Sequence, residues 1–389
     1  MPLAERDAAS KRHAAHFARV AKTCDRVLKT GDQETGGRKL DLELDNVRAA
    51  IAWATEKRED GLVTEITRSV ALYLRTRGLW GEAIEKLRVG EAAARRSGHL
   101  TGLAILLSSK AGLLTERGDY AEALAAYEEA LGLFSKPRQR RQRAAVLNNL
   151  AEVARRRGNF PQALRRYRHA ARILRAIGNR ESRRNLTAVF NNIGETYRMG
   201  RQYERAASWH RRSLTASEQV EDDGGVALSL SNLAATAQAR GRYPESKVLA
   251  EKSLEIAKRL SDRQGEARAV SVLGHVLMKE RRYPKAMAQY EVCLSTFWAL
   301  GDRLNVAQSL VSVARAAARL GQIERAIRCF VLACSLFRFL GSADIAGPRA
   351  ALRRLRTRID PERFRRLVEG TSSVPFEQVV EASGETPIG

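Results

Sequence analysis

The sequence is poor in the residues on which many folds and active sites depend. Only four cysteines occur, and none forms a Cys-x-x-Cys pair, so neither a disulfide framework nor a common zinc motif is indicated. Aromatic residues make up 6% of the chain and prolines number nine, whereas Ala, Leu and Arg dominate. Strands favour aromatic and β-branched residues, and Ala, Leu and Arg favour helices. The composition therefore predicts an all-α protein.

Signals for export and membrane insertion are also missing. The first residues contain no apolar core of a secretory signal, and no apolar run approaches the roughly 18 residues that a membrane-spanning helix requires. Together with the cysteine usage, these absences favour a reducing cytoplasm, with no membrane partner.

Motifs for catalysis or cofactor binding are absent as well. The sequence contains no Gly-x-x-x-x-Gly-Lys-Ser/Thr, no His-Glu-x-x-His and no Gly-x-Ser-x-Gly. His13 and His16 share a helix face with Cys24 two turns on, but an ordinary helix surface is the simpler interpretation than a metal site. We therefore expect no catalytic residues, no metal and no cofactor, and predict that the protein is not an enzyme.

A short phrase, Gly-x-aromatic-x-x-Ala, recurs along the chain. Its seven copies begin at residues 78, 118, 158, 201, 241, 281 and 321, with Arg in place of Gly in two copies, Ile in place of the aromatic residue in one and Ser in place of Ala in one. A Gly can end a helix in a left-handed conformation, the aromatic residue fills the space between two helices, and the small Ala allows the helices to approach. A repeat of about 40 residues, each a helical hairpin, is therefore predicted.

The segments that flank each phrase support this interpretation. Helical stretches with a Leu-Ala or Ile-Gly pair precede it, and amphipathic helices follow it. Twenty residues after the turn a second stop residue recurs. This stop is Gly98, Gly178, Ser261, Gly301 or Gly341. Arg138 and Glu221 depart from that pattern, so we expect irregular exits from repeats two and four.

The repeat resembles the tetratricopeptide repeat (TPR) family, and its long period is similar to that of kinesin light chains, mitotic-spindle adaptors and bacterial signalling regulators. The resemblance implies a superhelical all-α solenoid of about seven hairpins over residues 61–341, with first helices lining a concave groove. Residues 1–60 are predicted to be an N-terminal helical cap with a polar loop at 30–39. Residues 342–389 are predicted to be capping helices and a flexible tail.

Two terminal segments resemble a narrower group. Residues 44–53, Leu-Asp-Asn-Val-Arg-Ala-Ala-Ile-Ala-Trp, and the tail with a turn at Gly370 and a following Ser-x-x-x-Glu helix, look like the sensor region of bacterial STAND-class ATPase regulators. The resemblance implies a sensor whose bound partner biases an ATPase. This chain lacks the phosphate-binding loop of those regulators, so it is either a stand-alone relative or their sensor part.

A row of small polar residues precedes the Leu-Ala pairs, where the resemblance places the concave groove. Asn offers both donors and an acceptor, and can therefore hold the backbone of an extended peptide. The candidate partner-binding residues are Asn148, Asn149, Asn191, Asn192, Asn232, Ser109 and Ser312. The alternative is that these residues bond neighbouring repeats or cap helices.

A second pattern is electrostatic. Residues 136–184 contain Lys136 and fifteen arginines against Glu152 and Glu181, in a chain whose net charge is +24. The candidate anion-binding residues are Arg155, Arg156, Arg157, Arg165, Arg166 and Arg168. A general Arg bias of the genome would raise the net charge but would not concentrate it in this way.

The leading hypothesis is an adaptor or sensor that binds a peptide or protein segment in the groove, and the nearby arginines favour an acidic one. The alternative is a binder of nucleic acid or another polyanion through the Arg-rich belt of residues 136–184, against which stand the few aromatic residues available for base stacking. A third interpretation is a structural protein that only oligomerises.

Overall fold

The computed structural model describes residues 3–29, 33–340 and 342–372. The fold is all-α: these residues form eighteen α-helices, three short 3₁₀ helices and no strand. The chain divides into two compact units between Val153 and Ala154, which we call the first and the second unit. None of the described helices is long and apolar enough to cross a membrane.

The helices follow one another in regular hairpins. Up to the boundary they are α1 (Leu3–Lys29), α2 (Gln33–Glu56), α3 (Asp60–Thr76), α4 (Trp80–Arg96), α5 (Leu100–Arg117), α6 (Tyr120–Leu133) and α7 (Arg140–Arg156), which spans it. Beyond it they are α8 (Phe160–Ile177), α9 (Arg180–Met199), α10 (Tyr203–Gln219), α11 (Asp223–Ala239), α12 (Tyr243–Arg259), α13 (Arg263–Lys279), α14 (Tyr283–Ala299), α15 (Arg303–Arg319), α16 (Ile323–Phe339), α17 (Ala346–Leu355) and α18 (Pro361–Ser372). Repeats one to seven are the successive pairs from α3–α4 to α15–α16.

The turn within each hairpin uses one left-handed residue. Gly78, Gly118, Gly158, Gly241 and Gly321 have φ between +74° and +93°. Arg201 and Arg281 adopt the same conformation at the equivalent position, with φ of +58° and +62°. A side chain resists this region, so the packing of the hairpin imposes the turn even where Gly is missing.

The turns that follow the second helices agree only in part with the sequence prediction of irregular exits from repeats two and four. Glu221 takes the left-handed turn with φ of +54°, as Ser261 does, so the irregular exit predicted for repeat four was wrong. The irregular exit from repeat two is confirmed, since α6 ends at Leu133 and a 3₁₀ helix, Pro137–Gln139, precedes α7. Gly341 lies outside the described residues.

Helix starts in the second unit are set by local chemistry. The side chains of Asp222, Asp262 and Asp302 accept hydrogen bonds from the backbone N–H groups of Gly225, Gly265 and Asn305, and thereby cap α11, α13 and α15. Asn179 caps α9 in the same way through Ser182. Pro161, Pro244 and Pro284 occupy the first turns of α8, α12 and α14, where the missing N–H costs nothing.

The N-terminal hairpin also differs from the expectation. The polar loop predicted for residues 30–39 is wrong from residue 33 onward, because α2 begins at Gln33. Gly36 lies in this helix, and a Cβ there would come 3.0 Å from Leu28 Cγ and 3.2 Å from the Cys24 carbonyl oxygen on α1. This glycine therefore serves the close approach of two helices rather than a turn.

The core of each repeat contains one anchor from its second helix, seven residues after the turn aromatic. These anchors are Leu87, Tyr127, Tyr167, His210, Ala250, Tyr290 and Phe330, and all are at most 3% exposed. His210, the anchor of repeat four, is the only one of these seven side chains that is a base. It lies within the candidate site described below.

The array is followed by α17 and α18, which pack on α16. Leu352, Phe364 and Leu367 lie against the apolar cluster of the last repeats, as a capping segment should. The turn expected at Gly370 is wrong, because α18 continues to Ser372. The following Ser-x-x-x-Glu helix lies outside the described residues, and the two boundaries between the three predicted domains stay a prediction.

Candidate functional site

The asparagine row of the second unit is built into a buried polar network, which we call the Asn191 network. Asn191 on α9 is 4% exposed. Its Nδ2 donates to Ser229 Oγ at 3.2 Å, and its Oδ1 accepts from Asn232 Nδ2 at 3.2 Å. Ser229 Oγ in turn donates to Ser213 Oγ at 3.1 Å, and Ser213 donates to the Thr187 carbonyl oxygen at 2.8 Å. The network ties α9, α10 and α11 together.

His210 completes this network from α10. Its Nδ1 lies 3.2 Å from Asn191 Oδ1, an acceptor, so the neutral ring carries its proton on Nδ1. Burial, opposed by the charge of Glu195 and aided by that of Arg198, lowers the pKa of His210 to about 4. The ring packs directly over Gly194, where a Cβ would come 2.5 Å from His210 Cε1. His210 is therefore a neutral core residue that holds Asn191.

The two remaining asparagines of this unit's row are half-buried and more accessible than Asn191. Asn192 lies on α9 and Asn232 on α11. One turn along α9, Arg198 donates to both carboxylate oxygens of Glu195 at 2.6 and 2.7 Å. Burial acts to raise the pKa of Glu195, but Arg198 and the charge of Arg155 outweigh it and leave that pKa lowered. Asn192 thus lies about one turn of helix from a fixed ion pair.

The other predicted polar residues have simpler surroundings. In the first unit Asn148 Nδ2 donates to Asn149 Oδ1 at 3.3 Å, and Asn149 interacts with the Tyr127 hydroxyl, whose pKa burial raises to about 12. Ser109 is half-buried. Ser312, in the second unit, is 7% exposed and donates to the Gln308 carbonyl oxygen at 3.1 Å. Asn191 and Ser312 are thus buried, whereas Ser109 is more accessible.

Two cations on the first helices of later repeats were not singled out from the sequence. Arg268 on α13 is half-buried, and burial lowers the pKa of its guanidinium against the charges of Asp262 and Asp302. Arg315 on α15 is exposed. Burial lowers the pKa of His275, and the charge of Arg315 adds to this lowering. Neither arginine forms an ion pair within 4.0 Å among the described residues. The only sequence signal was a basic residue where the equivalent positions of other repeats hold Leu228 and Gln308, for Arg268, or Ala235 and His275, for Arg315.

The Arg-rich belt separates into two places. Arg155, Arg156 and Arg157 lie at the end of α7, where Arg155 Nη1 is 4.0 Å from Glu195 Oε1 and only 16% of its side chain is exposed. Arg165, Arg166 and Arg168 line a cavity of about 670 Å³ within the second unit, which we call the arginine cavity. Its other lining residues are His169, Ala171, Arg172, Arg175, Ile193 and Trp209.

The two histidines near the N-terminus, His13 and His16, pack against an aromatic ring. His13 and His16 contact Phe17 with centroid separations of 4.6 and 5.0 Å, and Cys24 is buried. Within the part of the chain that the structure describes, no three potential metal ligands come together.

The family model for the tetratricopeptide repeat matches residues 102–176, 142–219 and 225–297, in phase with the helical hairpins described above. The chain is a tetratricopeptide-repeat protein. No curated protein matches the sequence. The tetratricopeptide-repeat architecture is therefore established by the family model and the fold together.

Solved structures share this tetratricopeptide-repeat fold at low sequence identity. A Rap protein in complex with Competence and Sporulation Factor is 13% identical, with a TM-score of 0.53 and coverage of 93% of this chain and 99% of that one. The apo quorum sensor NprR from B. thuringiensis is 15% identical, with a TM-score of 0.53 and coverage of 84% and 98%. A STAND protein with a tetratricopeptide-repeat sensor from Pyrococcus horikoshii is 12% identical, with a TM-score of 0.49 and coverage of 87% and 53%. At these identities the likeness to the Rap protein and to NprR shows the fold alone.

Proposed function

We propose that this tetratricopeptide-repeat protein is a non-catalytic regulatory module that binds an extended, acidic protein segment on the first-helix face of its second unit. This face consists of Asn192, Asn232, Arg268 and Arg315 on α9, α11, α13 and α15. The observation that carries the proposal is the combination of two half-exposed amides, one of them held in place by Asn191, with two arginines that form no ion pair within 4.0 Å among the described residues.

The amides would hold the backbone of the bound segment. Asn232 uses its Nδ2 to bond Asn191, which fixes the side chain, while its Oδ1 has no hydrogen-bond partner among the described residues and can accept a backbone N–H. An amide that is already ordered loses little conformational entropy when a partner binds. Backbone recognition of this kind supports binding of an extended segment whatever its side chains.

The arginines would select the charge of the segment. A partly desolvated guanidinium gains more from a carboxylate than a solvated one, because charge-assisted hydrogen bonds strengthen as the local dielectric falls. Arg268 is the partly buried member of the pair and Arg315 the exposed one. An acidic segment therefore fits this face better than a neutral or basic one.

The fold comparisons support a regulatory role for such binding. A Rap protein of the same fold has been solved with Competence and Sporulation Factor, and NprR is a quorum sensor. Carried to this chain as a proposal, the bound segment is a signal or a signalling partner in a bacterial pathway. Its place of action is proposed to be the cytoplasm.

A direct test is binding of the full chain to arrayed short peptides of acidic, neutral and basic composition. We expect acidic peptides to bind best, and the double variant Asn192→Ala/Asn232→Ala to weaken binding about tenfold, as loss of two hydrogen bonds should. The double variant Arg268→Gln/Arg315→Gln should abolish the preference for acidic peptides while leaving residual binding.

The matched control is Lys252→Gln/Lys285→Gln, which removes the same charge from exposed positions on the second helices α12 and α14. This control should leave peptide affinity and selectivity unchanged. Equal loss of selectivity in the control would show that net charge acts at a distance. Full binding by the asparagine variant would remove the amides from the proposal.

A further inference from the structure

Helix α8 carries an unusual concentration of one charge. Its 18 residues include Arg165, Arg166, Arg168, Arg172 and Arg175 and no acidic residue. Every other second helix of the array, from α4 to α16, contains at least one glutamate. Like charges three or four residues apart on a helix destabilise it, so the fold gains nothing from this arrangement.

The spacing places these charges on one face, and that face borders a cavity. Arg165, Arg168, Arg172 and Arg175 are separated by three, four and three residues, and therefore follow one stripe of the helix. All four line the arginine cavity, and no lining residue is acidic. Arg165 and Arg172 form no ion pair within 4.0 Å among the described residues. The cavity thus presents several positive charges without an internal counter-ion.

The inner wall of the arginine cavity is apolar and aromatic. Ala171 and Ile193 are buried, and the half-buried indole of Trp209 borders the cavity from α10. The ring centroids of Trp209 and Phe190 are 5.5 Å apart, so the two rings pack against each other. A flat apolar surface beside a row of guanidinium groups suits a ligand that has a planar ring at one end and negative charge at the other.

Several arginines around the arginine cavity are already held in place. Arg175 lies over the Phe190 ring with its Cζ 5.3 Å from the centroid, and Arg212 lies over Trp209 at 4.7 Å. Arg168 Nη2 donates to the Tyr197 hydroxyl at 2.8 Å. A guanidinium held by an aromatic ring or a hydroxyl keeps other N–H donors for an oxyanion and loses less entropy on binding it.

We propose that the arginine cavity binds a nucleoside polyphosphate, with the phosphates on Arg165, Arg168 and Arg172 and the base against Trp209. This site is separate from the first-helix face, and the proposal stands whether or not that face binds a peptide. A volume of about 670 Å³ lies within the roughly 300–1,000 Å³ of small-molecule sites. The charge requires a polyanion and the aromatic wall requires a planar group, and a nucleoside polyphosphate provides both.

A nucleic-acid strand or an acidic peptide explains less of the site. One bordering tryptophan provides stacking for one base, whereas single-stranded nucleic acid is held by successive aromatic residues along a groove. A peptide carboxylate would satisfy the arginines but would not cover the apolar surface of Ala171, Ile193 and Trp209. The discrete, mixed lining favours a small ligand.

The test is isothermal titration of the full chain with ATP, GTP, adenosine, inorganic triphosphate and a single-stranded oligonucleotide. We expect one ATP or GTP site per chain, weaker binding of inorganic triphosphate, and no detectable binding of adenosine. Arg172→Gln should weaken nucleotide binding about tenfold or more, as loss of a charge-assisted contact does. Arg211→Gln, an equally exposed arginine of α10 that does not line the cavity, is the matched control and should change affinity by less than about twofold.

Variants of Trp209 separate the two halves of the site. Trp209→Leu should weaken ATP binding but leave inorganic triphosphate unaffected, and Trp209→Phe should restore most of the ATP affinity because a ring is retained. Equal affinities for ATP and inorganic triphosphate would overturn the role of the base. Absence of ATP binding at low salt, or affinity that grows with oligonucleotide length and falls equally in Arg172→Gln and Arg211→Gln, would overturn the site itself.

Discussion

Repeats four and six have the same hairpin backbone but different buried side chains. Both have a non-glycine left-handed turn, at Arg201 and Arg281, and both have a glycine on the first helix beneath the ring of the second. In repeat four that ring is His210, bonded to Asn191. In repeat six it is Tyr290, which lies over Gly274 and contacts the ring of His275 at a centroid separation of 5.2 Å.

The difference shows where this array can acquire specificity without changing its fold. A histidine anchor can hold a buried asparagine on the neighbouring helix, and that asparagine can orient Asn232 on the next repeat. A tyrosine anchor fills the same space but offers no such connection, because the equivalent of Asn191 there is Ser271. The backbone repeats, whereas the polar network occurs where the anchor changes from Tyr to His.

The largest expected effect is a pH dependence that arises from the histidine anchor of repeat four and that the tyrosine anchor of repeat six lacks. Burial, with Arg198 and against Glu195, lowers the pKa of His210 from 6.5 to about 4. Below about pH 6.5 the unfolded chain therefore takes up a proton that the folded chain refuses, so stability is complete above that pH and falls towards pH 4. Between pH 7 and pH 5 the free energy of unfolding should fall by about 2 kcal/mol on this account.

The measurement is urea unfolding at both pH values for the wild type and for His210→Tyr, which introduces the anchor of repeat six. Other titrating groups are common to both proteins, so the difference between them isolates His210. The variant should lose about 2 kcal/mol less on acidification. Parallel pH profiles would contradict the assignment of a neutral, buried His210.

A smaller effect is expected from adding a methyl group beneath each ring. A Cβ at residue 194 would come 2.5 Å from His210 Cε1, and one at residue 274 would come 2.7 Å from Tyr290 Cε1. His210 cannot retreat without losing its bond to Asn191, whereas Tyr290 makes no such bond among the described residues, and repeat two combines Ala111 with Tyr127 at the equivalent positions. Gly194→Ala should therefore destabilise by about 1–2 kcal/mol, and Gly274→Ala by well under 1 kcal/mol.

Thermal and urea unfolding of these two glycine variants would rank them, and the double variant Gly194→Ala/His210→Ala provides the control. Removing the His210 ring makes room for the new methyl group. The double variant should therefore be as stable as the single variant His210→Ala. If Gly274→Ala were the more damaging single change, the polar network would not be the rigid element of the comparison.

The smallest effect concerns the turns, where the two repeats should behave alike. Arg201→Gly and Arg281→Gly each remove the strain of a side chain at a left-handed backbone position, which stabilises the folded state. The added glycine also raises the conformational entropy of the unfolded chain, which offsets part of this gain. Each should raise the free energy of unfolding by about 0.5 kcal/mol. Gly241→Ala, at the same turn of repeat five with φ of +77°, should lower it by about 1 kcal/mol. Unequal gains in the two arginine variants would show that the hairpin backbones are not equivalent.

Most of the fold could be predicted because the periodic signals are local. The turn aromatics at Tyr203, Tyr243 and Tyr283 begin α10, α12 and α14, and the left-handed turns fall where the phrase predicted them. The errors arose where one residue type serves two purposes. Gly36 resembled a loop residue but permits the packing of α2 on α1, and Glu221 occupies a turn that the neighbouring helices impose.

The candidate site was less predictable, because side chains distant in sequence define it. The row of asparagines was visible as a pattern, but the burial of Asn191 depends on Ser229 and His210, which lie 38 and 19 residues away. Arg165, Arg166 and Arg168 were singled out by charge, yet Trp209 completes their cavity from another repeat. The contacts of the proposed partners stay predictions.

The sequence by itself determined that this protein is a tetratricopeptide-repeat array, where its hairpins turn, and that its charge is concentrated on one stretch of chain. Helix propensity, capping and left-handed turns act within a few residues, so they can be recognised in a linear pattern. Only the tertiary structure decided that His210 is a neutral anchor, that Asn191 supports Asn232, and that α8 borders a cavity. These properties depend on burial and on contacts between helices, which close packing sets and no local pattern records.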